Sequence, residues 1–155
     1  MQKLNILITG GAGYIGTHVA KQLLEITTHN VTILDNLSSG SKKTLDTLRT
    51  IRDFTFIELA LKEFTQVADV LNINTFETII HFSASMVLPE SVENSLQYYM
   101  NNTVNTINFI KWTTDTKVKR FIFSSTATVA NKEFKFVIFR YFNVAGADIN
   151  YKDTL

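Results

Sequence analysis

The sequence predicts an α/β fold in which a parallel, doubly wound sheet carries helices on both faces. Three observations carry that prediction. Short apolar runs alternate with helix-period segments through roughly the first 125 residues. The first run ends in a glycine-rich turn, Gly10-Gly11-Ala12-Gly13-Tyr14-Ile15-Gly16, which opens directly into a helical pattern. The second run ends in an acid, Asp35, 19 residues after Gly16.

Leu4–Ile8 is a nearly continuous apolar run, as a strand buried on both faces requires. From Tyr14 to Leu24, the residues Ile15, Val19, Leu23 and Leu24 recur at helical spacing. Val31–Leu34 is the second strand. A polar loop over Ser38–Lys43 follows, then a helix carrying Leu45, Leu48 and Ile51. Phe54–Leu59 alternates like a third strand, Phe64–Leu71 fits a short helix, and Thr78–Phe82 is a fourth strand. Pro89, the only proline, precedes a long helical pattern from Val92 to Thr113. Arg120–Phe123 and Phe134–Tyr141 are the fifth and sixth strands. There is no internal repeat and no low-complexity segment.

Composition narrows the functional classes. Of the 155 residues, 45% are hydrophobic and 19% charged, an ordinary globular balance. The formal net charge of +1 gives no electrostatic case for nucleic acid or an anionic membrane as partner. Without cysteine there is no disulfide, thiolate metal site or Cys nucleophile. No His/acid set has metal-ligand spacing, so no metal is expected; His81 reads as a packed polar residue rather than a base. The opening apolar run is too short for a signal peptide or a bilayer span, and the expected location is the cytoplasm.

The glycine turn has a specific physical use. A dinucleotide pyrophosphate rests on a helix N-terminus, and glycines allow the sharp turn and the close approach of phosphates to backbone. Gly10, Gly13 and Gly16 satisfy that spacing, with Tyr14 and Ile15 in the first helical turn. The alternative is a purely structural turn. Asp35 can accept hydrogen bonds from ribose hydroxyls and would repel a 2′-phosphate, which favours NAD over NADP. Its alternative is a turn or helix-capping aspartate. Together these features predict a Rossmann dinucleotide-binding unit.

Further strings extend the pattern: Leu34-Asp35-Asn36-Leu37-Ser38, Ile80-His81-Phe82-Ser83-Ala84, Pro89-Glu90-Ser91-Val92, Tyr98-Tyr99-Met100-Asn101-Asn102, Phe121-Ile122-Phe123-Ser124-Ser125-Thr126 and Arg140-Tyr141-Phe142-Asn143-Val144-Ala145-Gly146. With the glycine loop, these resemble the extended short-chain dehydrogenase/reductase family, in its UDP-hexose 4-epimerase branch. The resemblance implies NAD as cofactor and a UDP-hexose as substrate. In that chemistry C4 loses a hydride to the nicotinamide while a tyrosinate takes the 4-OH proton. The keto sugar then turns over and the hydride returns to its other face. The resemblance also implies cofactor contacts from Gly10, Gly13, Tyr14, Ile15, Gly16, Asp35, Asn36, Leu37, Ser38, Phe82, Ser83, Ala84, Asn102 and Ser124. Thr126 would hydrogen-bond the sugar oxygen, and Tyr141, Phe142 and Asn143 would meet the nicotinamide end and the substrate. A homodimer is the family's usual assembly; its contacts involve the long helix before strand five and the helix after it.

The sequence also departs from that pattern. The family needs Tyr-x-x-x-Lys on the helix after the fifth strand, where the lysine lowers the tyrosine pKa from its ordinary value of about 10. No Tyr-x-x-x-Lys occurs anywhere in this sequence; Val129 is followed by Ala130-Asn131-Lys132-Glu133. The expectation is a cofactor-binding unit over 1–129 and a remnant of the sixth strand and its loop over 130–155. The family's smaller C-terminal substrate domain lies outside this sequence. A linker this short suits a hairpin better than a helical crossover, so the sixth strand is expected to be displaced from its family place. Leu59-Ala60 stands where the family carries Gly-Asp, which removes an acid that meets the adenine amine. The sequence therefore predicts NAD binding without turnover. Other readings are a non-catalytic NAD module, another NAD-dependent sugar-nucleotide epimerase, dehydratase or decarboxylase, and a decayed frame that folds poorly.

Overall fold

A computed structural model describes residues 2–85 and 94–124 and the backbone of 135–139. Among the described residues, six strands form one sheet in the order β3-β2-β1-β4-β5-β6. They are β1 (Asn5–Thr9), β2 (Asn30–Asp35), β3 (Thr55–Glu58), β4 (Thr78–His81), β5 (Arg120–Ser124) and β6 (Lys135–Phe139). Every neighbouring pair is parallel. The order reverses between β1 and β4, which opens the crevice where doubly wound sheets hold ligands.

The helices are α1 (Tyr14–Ile26), α2 (Lys42–Arg49), α3 (Phe64–Ile73), α4 (Ser95–Tyr99) and α5 (Asn105–Thr114). Strand side chains alternate between faces, so β1 feeds two cores. Ile6 and Ile8 pack with Ala20, Leu24, Leu45 and Leu48 under α1 and α2. Leu7 packs on the other face with Val67, Leu71, Phe109 and Phe121 under α3 and α5. Strands buried on both faces are why β1, β2 and β4 read as nearly continuous apolar runs.

The predicted helix over Val92–Thr113 is interrupted. Between α4 and α5, Met100–Val104 forms a π-helical turn, so the run is three consecutive segments. Such bulges insert where one residue too many must be accommodated, often beside a site. Among the described residues, no helix is long and apolar enough to cross a membrane.

The expectation for the sixth strand is overturned. β6 lies beside β5 and parallel to it, with Arg120 opposite Lys135 and Ser124 opposite Phe139. Helical crossovers are the usual parallel connection, but chain reach is what geometry demands. A five-residue strand is about 17 Å long, whereas ten linking residues can span about 33 Å. Residues 125–134 therefore have length enough to return to the start of a parallel neighbour. A short linker favours a hairpin; the apolar strand completes the sheet at its β5 edge instead.

Candidate functional site

The glycine loop sits at the C-terminal end of β1 and is stitched to both neighbouring strands. Gly10 N–H donates to Leu34 O at 2.9 Å, and Phe82 N–H donates to Thr9 O at 2.9 Å. Gly10 has φ +69°, a left-handed conformation that favours glycine. A Cβ there would lie 2.7 Å from the Phe82 carbonyl carbon and the Ser83 nitrogen. At Gly16 a Cβ would lie 2.2 Å from Gly10 O. These two glycines are required by the protein's own packing.

Gly13 differs. It has φ −78° and ψ 171°, which any residue adopts, and it is the N-cap of α1 with no side-chain cap. A Cβ there would meet only Gly10 O, at 3.4 Å. Nothing in the described chain demands glycine at this position. What a side chain would fill is the space over the helix N-terminus, where the first backbone N–H groups look outward. That open cradle fits a dinucleotide pyrophosphate. Thr17, a residue that motif reading passes over, buttresses the loop: its hydroxyl donates to Gly13 O at 2.7 Å and lies 3.3 Å from Gly11 O. The signal was present as a hydroxyl four residues after the capping glycine.

Asp35 ends β2 and is buried. Its Oδ2 accepts the Ala12 N–H at 3.0 Å and its Oδ1 accepts the Leu37 N–H at 2.8 Å. The carboxylate thus ties the glycine loop to the loop after β2. Each oxygen keeps acceptor capacity, so ribose hydroxyls can still be received. Asn36 Oδ1 accepts from Ser38 N–H and from the Ser38 hydroxyl. Leu37 is held at φ 57°, uncommon for a branched side chain, and it packs against the α1–α2 core.

Phe82, Ser83 and Ala84 follow β4 at the same end of the sheet, and Ser124 closes β5 there. Asn102, on the π turn, spends its amide on the loop after β4. Ser85 N–H donates to its Oδ1 at 2.7 Å, and its Nδ2 donates to Ser85 O at 2.8 Å. Asn101 Nδ2 donates to Ser85 Oγ at 2.6 Å. The pair clamps the loop that carries Phe82–Ala84. Thr126, Tyr141, Phe142 and Asn143 lie outside the described residues.

Beneath the site, His81 is buried between Thr9 and Thr106. Thr9 Oγ1 lies 2.6 Å from Nδ1, and Thr106 Oγ1 lies 3.2 Å from Nε2. The ring stacks on Phe109 and Phe123. Burial lowers its pKa from 6.5 to about 3, so it is neutral at physiological pH. At the opposite, N-terminal edge of the strands is a separate open polar groove of about 620 Å³ that includes Lys3, His29, Arg52 and Asn74. Arg52 is engaged there by the Thr27 and His29 carbonyls.

Known proteins share this arrangement. Residues 6–134 match the model of the NAD dependent epimerase/dehydratase family. The chain belongs to that family. A UDP-glucose 4-epimerase of Klebsiella pneumoniae is 38% identical over 128 residues, covering 81% of this chain and 91% of that sequence. The UDP-Glc/GlcNAc 4-epimerase of Campylobacter jejuni is 49% identical with a TM-score of 0.76, over 80% of this chain and 37% of that one. The UDP-glucose 4-epimerase of Bifidobacterium longum, solved with NAD+ and UDP, is 30% identical with a TM-score of 0.73, over 79% of this chain and 37% of that one. The chain is therefore a relative of UDP-glucose 4-epimerases that spans little more than a third of either solved structure.

Proposed function

We propose that this chain is a cytoplasmic NAD-binding unit of the UDP-glucose 4-epimerase type that does not, by itself, interconvert UDP-glucose and UDP-galactose. The open cradle at Gly13 carries the binding half of this reading. The residues present can seat the pyrophosphate on α1 and a ribose on Asp35. When bound, NAD supplies the hydride acceptor and donor of the epimerase reaction. The chain's own part is to orient that group and to hold the loop after β4 through Asn101 and Asn102. The proton-transfer half has no owner, because the sequence lacks Tyr-x-x-x-Lys. By position, Thr126 would meet the sugar oxygen and Tyr141, Phe142 and Asn143 the nicotinamide end.

Titration calorimetry tests the binding half. NAD should bind in preference to NADP, and Asp35→Ala should weaken NAD by about 10- to 100-fold, the worth of one or two charge-assisted hydrogen bonds. Equal affinity of the wild type and Asp35→Ala for NAD would contradict the ribose assignment. A coupled assay with UDP-galactose tests the other half. Removal of a general base alone lowers rates by about 10²–10⁴, so turnover should be at or below roughly a hundredth of an intact epimerase. Rates comparable to an intact enzyme would overturn the reading.

Self-association has its own observation. Leu96, Tyr99, Met100 and Ile107 lie exposed on the single helical run that spans α4, the π turn and α5. Apolar side chains concentrated this way mark contact surfaces. Light scattering should give twice the 17.6 kDa chain mass, and Leu96→Glu with Tyr99→Glu should return it to one chain. A monomer at all concentrations in the wild type would contradict a dimer on this face.

A further inference from the structure

We propose that the turn Tyr99–Asn102 couples cofactor binding to self-association. Its inward side chains hold the loop that meets the cofactor, and its outward side chains belong to the face that meets a second copy. The inference rests on the NAD site and the dimer face of the proposed function and adds the link between them. Neighbouring residues of this one turn are engaged on opposite sides. Tyr99 and Met100 are exposed, as is Leu96 one turn earlier. Asn101 and Asn102 are half-buried and spend their amides on Ser85. Asn102 Oδ1 accepts the Ser85 N–H at 2.7 Å, its Nδ2 donates to Ser85 O at 2.8 Å, and Asn101 Nδ2 donates to Ser85 Oγ at 2.6 Å.

Core packing does not hold this turn. Neither α4 nor the π turn has a buried residue. The helical run is anchored further on, in α5, where Asn105 and Thr106 are buried, Thr106 Oγ1 lies 3.2 Å from His81 Nε2 and Phe109 stacks on the same ring. Asn105 Nδ2 donates to Asn101 Oδ1 at 3.3 Å, which joins the clamp to that anchor. A segment without core side chains has low local stability, so the bonds to Ser85 govern how well it is ordered. Ser85 directly follows Phe82–Ala84, the residues assigned to the cofactor. A dinucleotide on those residues orders the loop, and with it Ser85, the two asparagines and the exposed side chains beside them. A second copy then docks on a face already ordered and has less conformational entropy to lose. Linkage makes the effect mutual: the factor by which NAD tightens self-association is the factor by which self-association tightens NAD.

Sedimentation velocity on a dilution series of the full chain, with and without saturating NAD, tests the link. NAD should lower the dimer dissociation constant by about fivefold or more. Dissociation constants equal within about twofold would overturn the proposal while leaving the NAD site and the dimer face standing. Asn101→Ala with Asn102→Ala removes every side-chain bond of this pair to Ser85, and should bring the NAD effect on self-association to within about twofold. A folded double variant that keeps the full effect would overturn the route through Ser85. Should the double variant not fold, as judged by circular dichroism, Asn101→Ala alone makes the same comparison. Hydrogen exchange on the Leu96→Glu, Tyr99→Glu chain reads the ordering without a partner. NAD should slow exchange of the Met100–Val104 amides in that monomer, and unchanged exchange there would also overturn the proposal. A wild type that stays monomeric with and without NAD removes the dimer face, and one that binds no NAD removes the cofactor site; either result takes this inference with it.

Discussion

Gly13→Ser should leave the free protein as stable as the wild type, or more stable by up to about 1 kcal/mol, while weakening NAD binding by about 100-fold or more. The two effects have one origin. Gly13 is the N-cap of α1 in an extended conformation open to any residue, and no side chain caps the helix. Serine is a preferred N-cap, and its hydroxyl can accept an orphan N–H of the first turn. It also restricts the unfolded chain. The same hydroxyl then occupies the place where a phosphate oxygen would sit. Gly16→Ala should behave in the opposite sense. Its Cβ would lie 2.2 Å from Gly10 O and 2.7 Å from Gly11 Cα, both backbone atoms that cannot turn aside. That overlap should cost about 3 kcal/mol, a fall of roughly 10 °C in melting temperature for a chain of this size. Thermal melts with and without NAD separate the two glycines. A Gly13→Ser chain that binds NAD as the wild type does would place the pyrophosphate elsewhere.

Acid should unfold this protein early, and His81 should be a principal cause. In the folded chain its pKa is lowered to about 3 by burial, against 6.5 for the free side chain. Above pH 6.5 neither state holds the proton, so the histidine has no effect on the pH dependence. Below that value the unfolded chain takes up a proton that the folded chain refuses, and stability falls by about 1.4 kcal/mol per pH unit. The loss continues down to about pH 3 and reaches about 3 kcal/mol by pH 4. His81→Gln removes the titrating group and should reduce the slope of unfolding free energy against pH by about one proton between pH 6 and 4. The slope is independent of whatever the substitution costs in packing against Phe109 and Phe123. An unchanged slope would show that His81 protonates in the folded state.

Much of this was legible in the sequence, for identifiable reasons. Strands buried on both faces leave continuous apolar runs, so β1, β2, β4 and β5 were visible, with ends shifted by a residue or two. Those ends are set by ladder partners: Asn5 joins β1 because it lies opposite Asn30 in β2. Gly10, Gly16 and Asp35 were legible because each meets a requirement of the turn itself. The π turn was not. It carries Asn101 and Asn102, which bond to Ser85 across 16 and 17 residues, a contact that no helical periodicity encodes. Nor was the direction of β6, because a short linker argues for a hairpin only while the strand's lateral partner is unknown. Thr17 matches no motif, because its hydroxyl bonds to backbone carbonyls of the glycine loop.

The central claim, that the C-terminal edge of this sheet holds NAD, is tested most directly by amide chemical shifts of the labelled chain titrated with NAD. The account predicts saturable shifts concentrated at Gly10–Gly16, at Asp35–Ser38 and at Phe82–Ser85, with little change at Lys3, His29 or Arg52. Shifts confined to the groove at the N-terminal edge, or none at millimolar NAD, would contradict it.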